Sequence, residues 1–236
     1  MIRPLISVLL PTYNSMPWLS EAVGSIIAQT ITDWHLVVVD DGSTDGTGEY
    51  LGGLHKQLGP KLTTLWWPEN QGIVYALNEG LGACDGLYIA RMDADDISLP
   101  NRFQEQLLLL LEHPEIDGCG AWIQFFGDET RMMEFPTDPD EVRDLLFERT
   151  TVPHPTYFFR RQVYEEFQYE TLYNHAEDVD FLLRVTERYR LSNVPQVLLR
   201  YRVDYKRSVS CKHVKEQARS SERARAVARK RRRGLE

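Results

Sequence analysis

Cysteine is scarce in this 236-residue sequence, and no apolar run in it is long. The three cysteines, Cys84, Cys119 and Cys211, are odd in number and widely spaced. That pattern indicates neither a disulfide framework nor a zinc site. No stretch approaches the roughly 20 apolar residues needed to span a bilayer. The run Leu5 to Leu10 is too short for the hydrophobic segment of a secretion signal, so a cytoplasmic protein is expected. Two nucleotide-binding loops are missing as well. No Gly-x-Gly-x-x-Gly follows the first apolar run, which disfavours a dinucleotide fold, and there is no Gly-x-x-x-x-Gly-Lys-Ser/Thr phosphate loop.

What is present fits a soluble globular chain: 42% hydrophobic and 11% aromatic residues, in a length that makes one large domain or a domain with an appendage. The net charge of −8 hides an asymmetry. Residues 200–236 hold 14 Lys and Arg against 4 acids, whereas residues 1–199 hold 13 against 31. An acidic body repels phosphates unless a metal intervenes, and the basic tail is a separate object.

Along the chain, Leu5 to Leu10 reads as a strand ended by Pro11-Thr12-Tyr13-Asn14, with Ser15 placed to cap a helix whose apolar stripe is Trp18, Leu19, Ala22, Val23, Ile26 and Ile27. A second strand, Leu36 to Val39, is cut by Asp40-Asp41-Gly42-Ser43 before a helix running to about Leu58. Leu62 to Trp67 is a third strand. A helix through Ala83 follows, then a fourth strand from Leu87 to Met92. Strand alternating with helix implies a parallel sheet with crossover helices. In such sheets ligands bind outside the carboxyl ends of the strands, and three successive strand ends carry polar turns.

The third of these turns is Asp93-Ala94-Asp95-Asp96. Three carboxylates together are costly without positive compensation. A divalent cation shared with substrate phosphates would supply it, since hard cations prefer carboxylate oxygens. A solvated acidic turn capping the next helix is the alternative. In the first turn Tyr13 offers a stacking surface, and in the second Asp41 can accept hydrogen bonds from a base edge.

The segments Val8-Leu9-Leu10-Pro11-Thr12-Tyr13-Asn14, Val39-Asp40-Asp41-Gly42-Ser43-Thr44-Asp45 and Arg91-Met92-Asp93-Ala94-Asp95-Asp96 resemble the nucleotide-sugar half of the GT-A glycosyltransferases of family 2. The resemblance runs from about Ile6 to Phe103 and resumes over residues 153–202. It implies an α/β fold with a Rossmann-like, mostly parallel sheet flanked by helices. Residues 1–100 would form the nucleotide-sugar half, 101–205 a smaller acceptor-binding half, and 206–236 a basic tail. It implies that Pro11, Thr12, Tyr13 and Asp41 contact the uracil end of a UDP-sugar. Asp93 would lie near the ribose or sugar, and Asp95 would hold Mn²⁺ or Mg²⁺. For Asp40, capping of the turn's backbone N–H groups and ligand contact both stay open.

Farther on, a helix over Phe103 to Leu111, a strand over Ala121 to Phe126 at the sheet edge and a helix from Pro139 to Glu148 are expected. Met132, Met133 and Phe135 read as packing or lid residues. Pro153-His154-Pro155-Thr156 resembles a family segment near the acceptor cleft, so His154 is a candidate acceptor residue beside its ordinary reading as a buried structural histidine. Arg160 and Arg161 either steer phosphates or are solvated.

Glu177, Asp178 and Asp180 open an amphipathic helix, where the helix dipole alone would favour acids. The resemblance implies more. Asp178 would be the catalytic base of an inverting transfer, Glu177 an acceptor contact and Arg202 a diphosphate contact. Arg184 reads as structural. Asp204 stands where the family commonly has a histidine, with Ser208 and Ser210 beyond and His213 as a nearby substitute. The acceptor implied is a glycan or lipid-linked glycan. The tail, with a thin stripe of Val214, Ala218 and Val227, can adsorb to an anionic membrane at its inner face or remain solvated. Two other functional classes fit the residues less well. A sugar-1-phosphate nucleotidylyltransferase needs a glycine-rich basic loop after strand one, which Pro11 to Asn14 is not. Nucleic-acid binding through the tail is opposed by the acidic body, so no nucleic acid is expected.

Overall fold

Alternation in the first strand sets the architecture. In the computed structural model, which describes residues 3–173, 175–206 and 213–234, β1 (Ile6–Thr12) is buried along its whole length. Ile6, Val8 and Leu10 point to one face of the sheet and Leu9 to the other. A strand covered on both faces reads as a continuous apolar run, as this one does.

β1 lies between two parallel neighbours, β2 (Trp34–Asp40) and β4 (Tyr88–Arg91), and β3 (Leu62–Trp66) pairs parallel with the far side of β2. Helices α1 (Leu19–Ile27), α2 (Thr47–Leu58) and α3 (Ile73–Gly82) make the crossovers. On one face α1 and α2 contribute Leu19, Ala22, Val23, Ile26, Leu51 and Leu54 to the core, while α3 packs Ala76 and Leu77 on the other. Of the expected α1 stripe, Ile27 is exposed. Ser15 does not cap with its side chain; its carbonyl instead accepts from the N–H groups of Trp18 and Leu19. At Gly80 of α3 an added Cβ would come within 2.2 Å of Leu9 Cδ1, so glycine is what lets this helix lie against β1.

Beyond β4 the sheet becomes mixed. Among the described residues its order is β3-β2-β1-β4-β8-β6-β9-β5, with β7 (Met132–Met133) paired to β6. The added strands are β5 (Ile97–Ser98), β6 (Gly118–Gly127), β8 (Phe158–Arg160) and β9 (Leu191–Val203). The strand expected at an edge, β6, is interior, because the three-residue β8 wedges antiparallel between it and β4 while β9 flanks its other side. Helix α4 (Arg102–Glu112) covers this half with Phe103 and Leu110. Short helices α5 (Pro139–Leu145) and α6 (Arg161–Glu166) follow. Then comes α7 (Glu177–Val185), whose Phe181 stacks among Tyr157, Phe159, Tyr164 and Tyr169.

The basic tail folds as α8 (Val214–Arg232) and packs on α7. Its buried positions are Ser221, Ala224 and Ala228, not the anticipated Val214 and Ala218, which are exposed. Small residues let the helix approach closely, and its arginines complete the contact. Arg225 donates to the Leu146 carbonyl and Arg229 to that of Phe147, where α5 ends and where a helix dipole favours cations. No helix among the described residues is long and apolar enough to cross a membrane.

Candidate active site

The carboxyl ends of β1, β2 and β4 carry the three polar turns, and side chains tie the first two together. Asn14, at φ 49, accepts from the Thr44 N–H with its Oδ1, while its own N–H donates to Ser43 Oγ. Asp45 accepts from the Met16 N–H and the Thr47 hydroxyl. In the second turn Asp40 Oδ1 accepts from the Ser43 N–H, the capping role open to it. Gly42 has φ +78, and a Cβ there would meet backbone of Glu69 and Asn70 at 2.7–2.8 Å, so the turn requires glycine.

Of the residues expected at a nucleoside, Pro11 and Thr12 close β1 and are buried, and Thr12 Oγ1 has no hydrogen-bond partner among the described residues. Tyr13 is half exposed, as a stacking surface must be. Asp41 is buried, and its two oxygens accept from the N–H groups of Gln71 and Gly72 at 2.7 and 2.8 Å. It therefore orders the loop before α3, and only its remaining lone pairs can face a ligand.

After β4, Arg91 and Asp93 form a two-pronged ion pair at 2.6 and 2.7 Å. Burial opposes the charge on Arg91, but Asp93, with smaller contributions from Tyr169 and Glu177, outweighs it, and the guanidinium is held more firmly protonated than usual. Asp95 is pushed up to about 7, first by burial and then by the charge of Asp93. Asp96 is raised well above the ordinary carboxylate range by burial and then by Asp95 and Asp93. Its Oδ1 accepts from the Arg202 N–H, and its buried Oδ2 has no partner among the described residues.

Arg202, on β9, arrives at the same place. Its Nε donates to the Asp95 carbonyl, its guanidinium pairs with Glu21, and it lies over the rings of Trp18 and Phe126. Carboxylate oxygens suit a hard divalent cation: Asp95 is held against ionisation by burial and then by Asp93, Asp96 Oδ2 has no partner among the described residues, and positive charge would relieve both.

The acids of α7 face the same charges. Glu177 is pushed up to about 7 by burial and then by Asp178, with Asp93 adding to the rise and Arg91 opposing it. Its Oε2 is buried without a partner among the described residues. Asp178 is raised by burial; the Val179 N–H and Arg91 oppose the rise and Asp93 adds to it. Asp93 thus raises Asp95 and, more weakly than burial does, Glu177 and Asp178 as well.

His154 is buried, bonded at 2.8 Å to the Tyr169 hydroxyl and packed on Tyr157. Burial, followed by the charge of Arg91, holds it neutral. That is the structural reading of His154, although its surroundings border the acids. Arg160 spends its donors on the carbonyls of Ile116 and Leu110, and Arg161 pairs with Glu165, so neither is free to steer phosphate. Arg184 pairs with Asp180 at 2.8 Å, the structural part expected of it. Ser208 and Ser210 lie outside the described residues. Sequence reading gave no role to Arg91 or Glu21. Arg91 had a local signal, a lone arginine closing an otherwise apolar strand.

Comparison with known proteins gives consistent matches. The family model described as glycosyl transferase family 2 matches residues 7–168. An uncharacterized glycosyltransferase of Haemophilus influenzae is 29% identical over 213 residues, covering 85% of this chain and 66% of that protein. Among solved structures, residues 1–349 of TarS from S. aureus, in complex with UDP, superpose with a TM-score of 0.75 at 20% identity, over 96% of this chain and 65% of that one. The mannosyltransferase PcManGT from Pyrobaculum calidifontis, in complex with GDP-Man and Mn²⁺, gives 0.67 at 19% identity, over 97% and 74%. The chain thus spans just under two thirds of the Haemophilus protein and of the TarS chain. At these identities the structural matches establish a shared fold.

Proposed function

This chain belongs to glycosyl transferase family 2, and from that premise we propose that it moves a hexose from a UDP-sugar to a glycan or lipid-linked glycan acceptor, inverting the anomeric configuration. The observation that carries the reading is electrostatic. One carboxylate, Asp93, raises Asp95 on the phosphate side and Glu177 and Asp178 on the acceptor side, so the two sets of acids share one field.

On this reading residues 1–100 bind the donor. Pro11, Thr12 and Tyr13 take the uracil, and Asp41 reaches its edge while holding the loop at Gln71. Asp93, fixed by Arg91, meets the ribose or sugar. Asp95, with Asp96 behind it, holds Mn²⁺ or Mg²⁺, which when bound stabilises negative charge on the diphosphate as a Lewis acid. Arg202 adds a fixed positive charge beside the same oxygens.

Residues 101–205 present the acceptor. Asp178 takes the proton of the attacking hydroxyl as its oxygen bonds to the anomeric carbon, and the bond to the diphosphate breaks on the opposite face. A buried carboxylate with a raised proton affinity is a better base than a free one. Glu177, its neighbour, whose Oε2 has no partner among the described residues, hydrogen-bonds the acceptor, and His154 supports that side through Tyr169.

The tail suits peripheral binding to an anionic membrane from the cytoplasmic side. Arg229, Arg232 and Arg233 line a recess of about 300 Å³ with Asp144 and Phe147, and basic residues near such a surface contribute about 1 kcal/mol each. The test of the whole reading is a screen of UDP- and GDP-sugars for nucleotide release with each metal. Release from UDP-hexoses that requires Mn²⁺ or Mg²⁺ is the expected result, and release from GDP-sugars alone overturns the donor assignment.

A further inference from the structure

We infer that the loop before α7 and the start of α8 build a second cation site from His175, His213 and Glu216, suited to a borderline transition-metal ion such as Zn²⁺ or Co²⁺. One donor atom from each of the three residues lies within 4.8 Å of the others. Glu216 is the hub. One of its oxygens is 2.8 Å from His213 Nδ1 and 3.6 Å from His175 Nε2, and the two imidazole rings lie 4.3 Å apart, nearly parallel.

The fold makes this arrangement from distant pieces. His213 and Glu216 stand at helical i, i+3 spacing at the N-terminal end of α8, so they share one side of that turn. His175 reaches them from another part of the chain, with its backbone in the left-handed region at φ 61. All three side chains retain solvent access, at 24%, 41% and 62%, which leaves an entry path for an ion and rotational freedom to close on it. Tetrahedral donors at bond lengths of about 2.0–2.1 Å stand roughly 3.4 Å apart, so closure moves donor atoms by an ångström or so.

The donor set decides the ion. Two imidazole nitrogens and one carboxylate oxygen suit Zn²⁺, Co²⁺ or Ni²⁺, whereas Mg²⁺ and Ca²⁺ select oxygen ligands. Three protein ligands leave a fourth position for water. This set differs from the carboxylate donor proposed at Asp95, so the two sites would take chemically distinct ions. An ion held here ties the start of α8 to the segment two residues ahead of Glu177 and three ahead of Asp178, a clamp on the end of α7 that presents both acids.

Cobalt is the probe, because four-coordinate Co²⁺ absorbs visibly and its hydrated ion only weakly. Chelator-stripped full-length protein titrated with Co²⁺ should show one equivalent of this absorption, displaced by Zn²⁺ and retained in Asp95→Asn. Glu216→Gln, an exposed change that leaves folding intact, should weaken binding at least tenfold, as should His213→Ala and His175→Ala. No visible band in the wild-type protein overturns the site whatever the variants do. A band that persists in Glu216→Gln and both histidine variants, or vanishes in Asp95→Asn alone, overturns it by placing the ion elsewhere.

Discussion

Arg91 and Asp93, two residues apart at the end of β4, are joined by two short bonds, yet only one of them reaches water. Their side chains are 3% and 30% exposed. The asymmetry gives an ordered prediction. Asp93→Asn strands a buried guanidinium and should cost about 3 kcal/mol, the scale for breaking a buried pair. Arg91→Met leaves an acid that can hydrate and should cost less, about 1–2 kcal/mol for lost packing and pairing. Chemical denaturation of both variants checks the order, and equal losses would mean the pair is not asymmetrically buried.

Replacing the proposed base separates chemistry from binding. Asp178→Asn should lower transfer by about 10²–10⁴, the usual contribution of a general base. UDP affinity should be unchanged, because the proposed nucleotide contacts lie at the ends of β1, β2 and β4. Turnover and calorimetric UDP binding, measured on the same preparation, test both halves.

Metal removal should act on the other side. With chelator, UDP binding should fall below detection and return on adding Mn²⁺ or Mg²⁺. Arg202→Lys keeps the charge but loses the fork that reaches the Asp95 carbonyl and Glu21 together. It should weaken UDP binding about tenfold with metal present. Affinity that is metal-independent would remove Asp95 from its role.

Charge reversal on the outer face of α8 tests the membrane reading without undocking the helix. Arg219, Arg223 and Lys230 are exposed, and the bonds to the Leu146 and Phe147 carbonyls come from Arg225 and Arg229. The triple change to Glu should reduce cosedimentation with anionic vesicles at low salt while leaving the melting temperature within a few degrees. Unchanged cosedimentation assigns the tail no part in membrane binding.

The bridge between the first two turns has a pH signature. Burial raises the Asp45 carboxyl slightly, but its bonds from the Thr47 hydroxyl and from the Met16 and Thr47 N–H groups outweigh this and hold it below its ordinary value. A carboxyl depressed in the folded state stabilises fully above its unfolded pKa of about 3.9 and loses that stability as pH falls through the folded value. The melting-temperature gap between wild type and Asp45→Asn should therefore be constant from pH 7 to 5 and shrink below pH 4. Since Asp45 is exposed, the gap should be small.

Local features of the chain determined most of the first hundred residues. Alternating strands and helices, and the polar turns at Pro11, Asp40 and Asp93, were legible because periodicity and turn chemistry act between near neighbours. The α1 stripe was legible for the same reason, apart from Ile27. The second half was decided by tertiary pairing. The three residues of β8 carry no strand signature of their own, yet their antiparallel insertion makes β6 interior and brings β9, with Arg202, back to Asp95. The meeting of Asp93 with Glu177 and Asp178, and of His175 with His213, joins residues separated by some 40 to 85 positions. The tail shows the same division. Its charge announced a separate basic object, whereas its docking on α7 depended on small residues at Ser221, Ala224 and Ala228 and on carbonyls at the end of α5, partners that no local pattern displays.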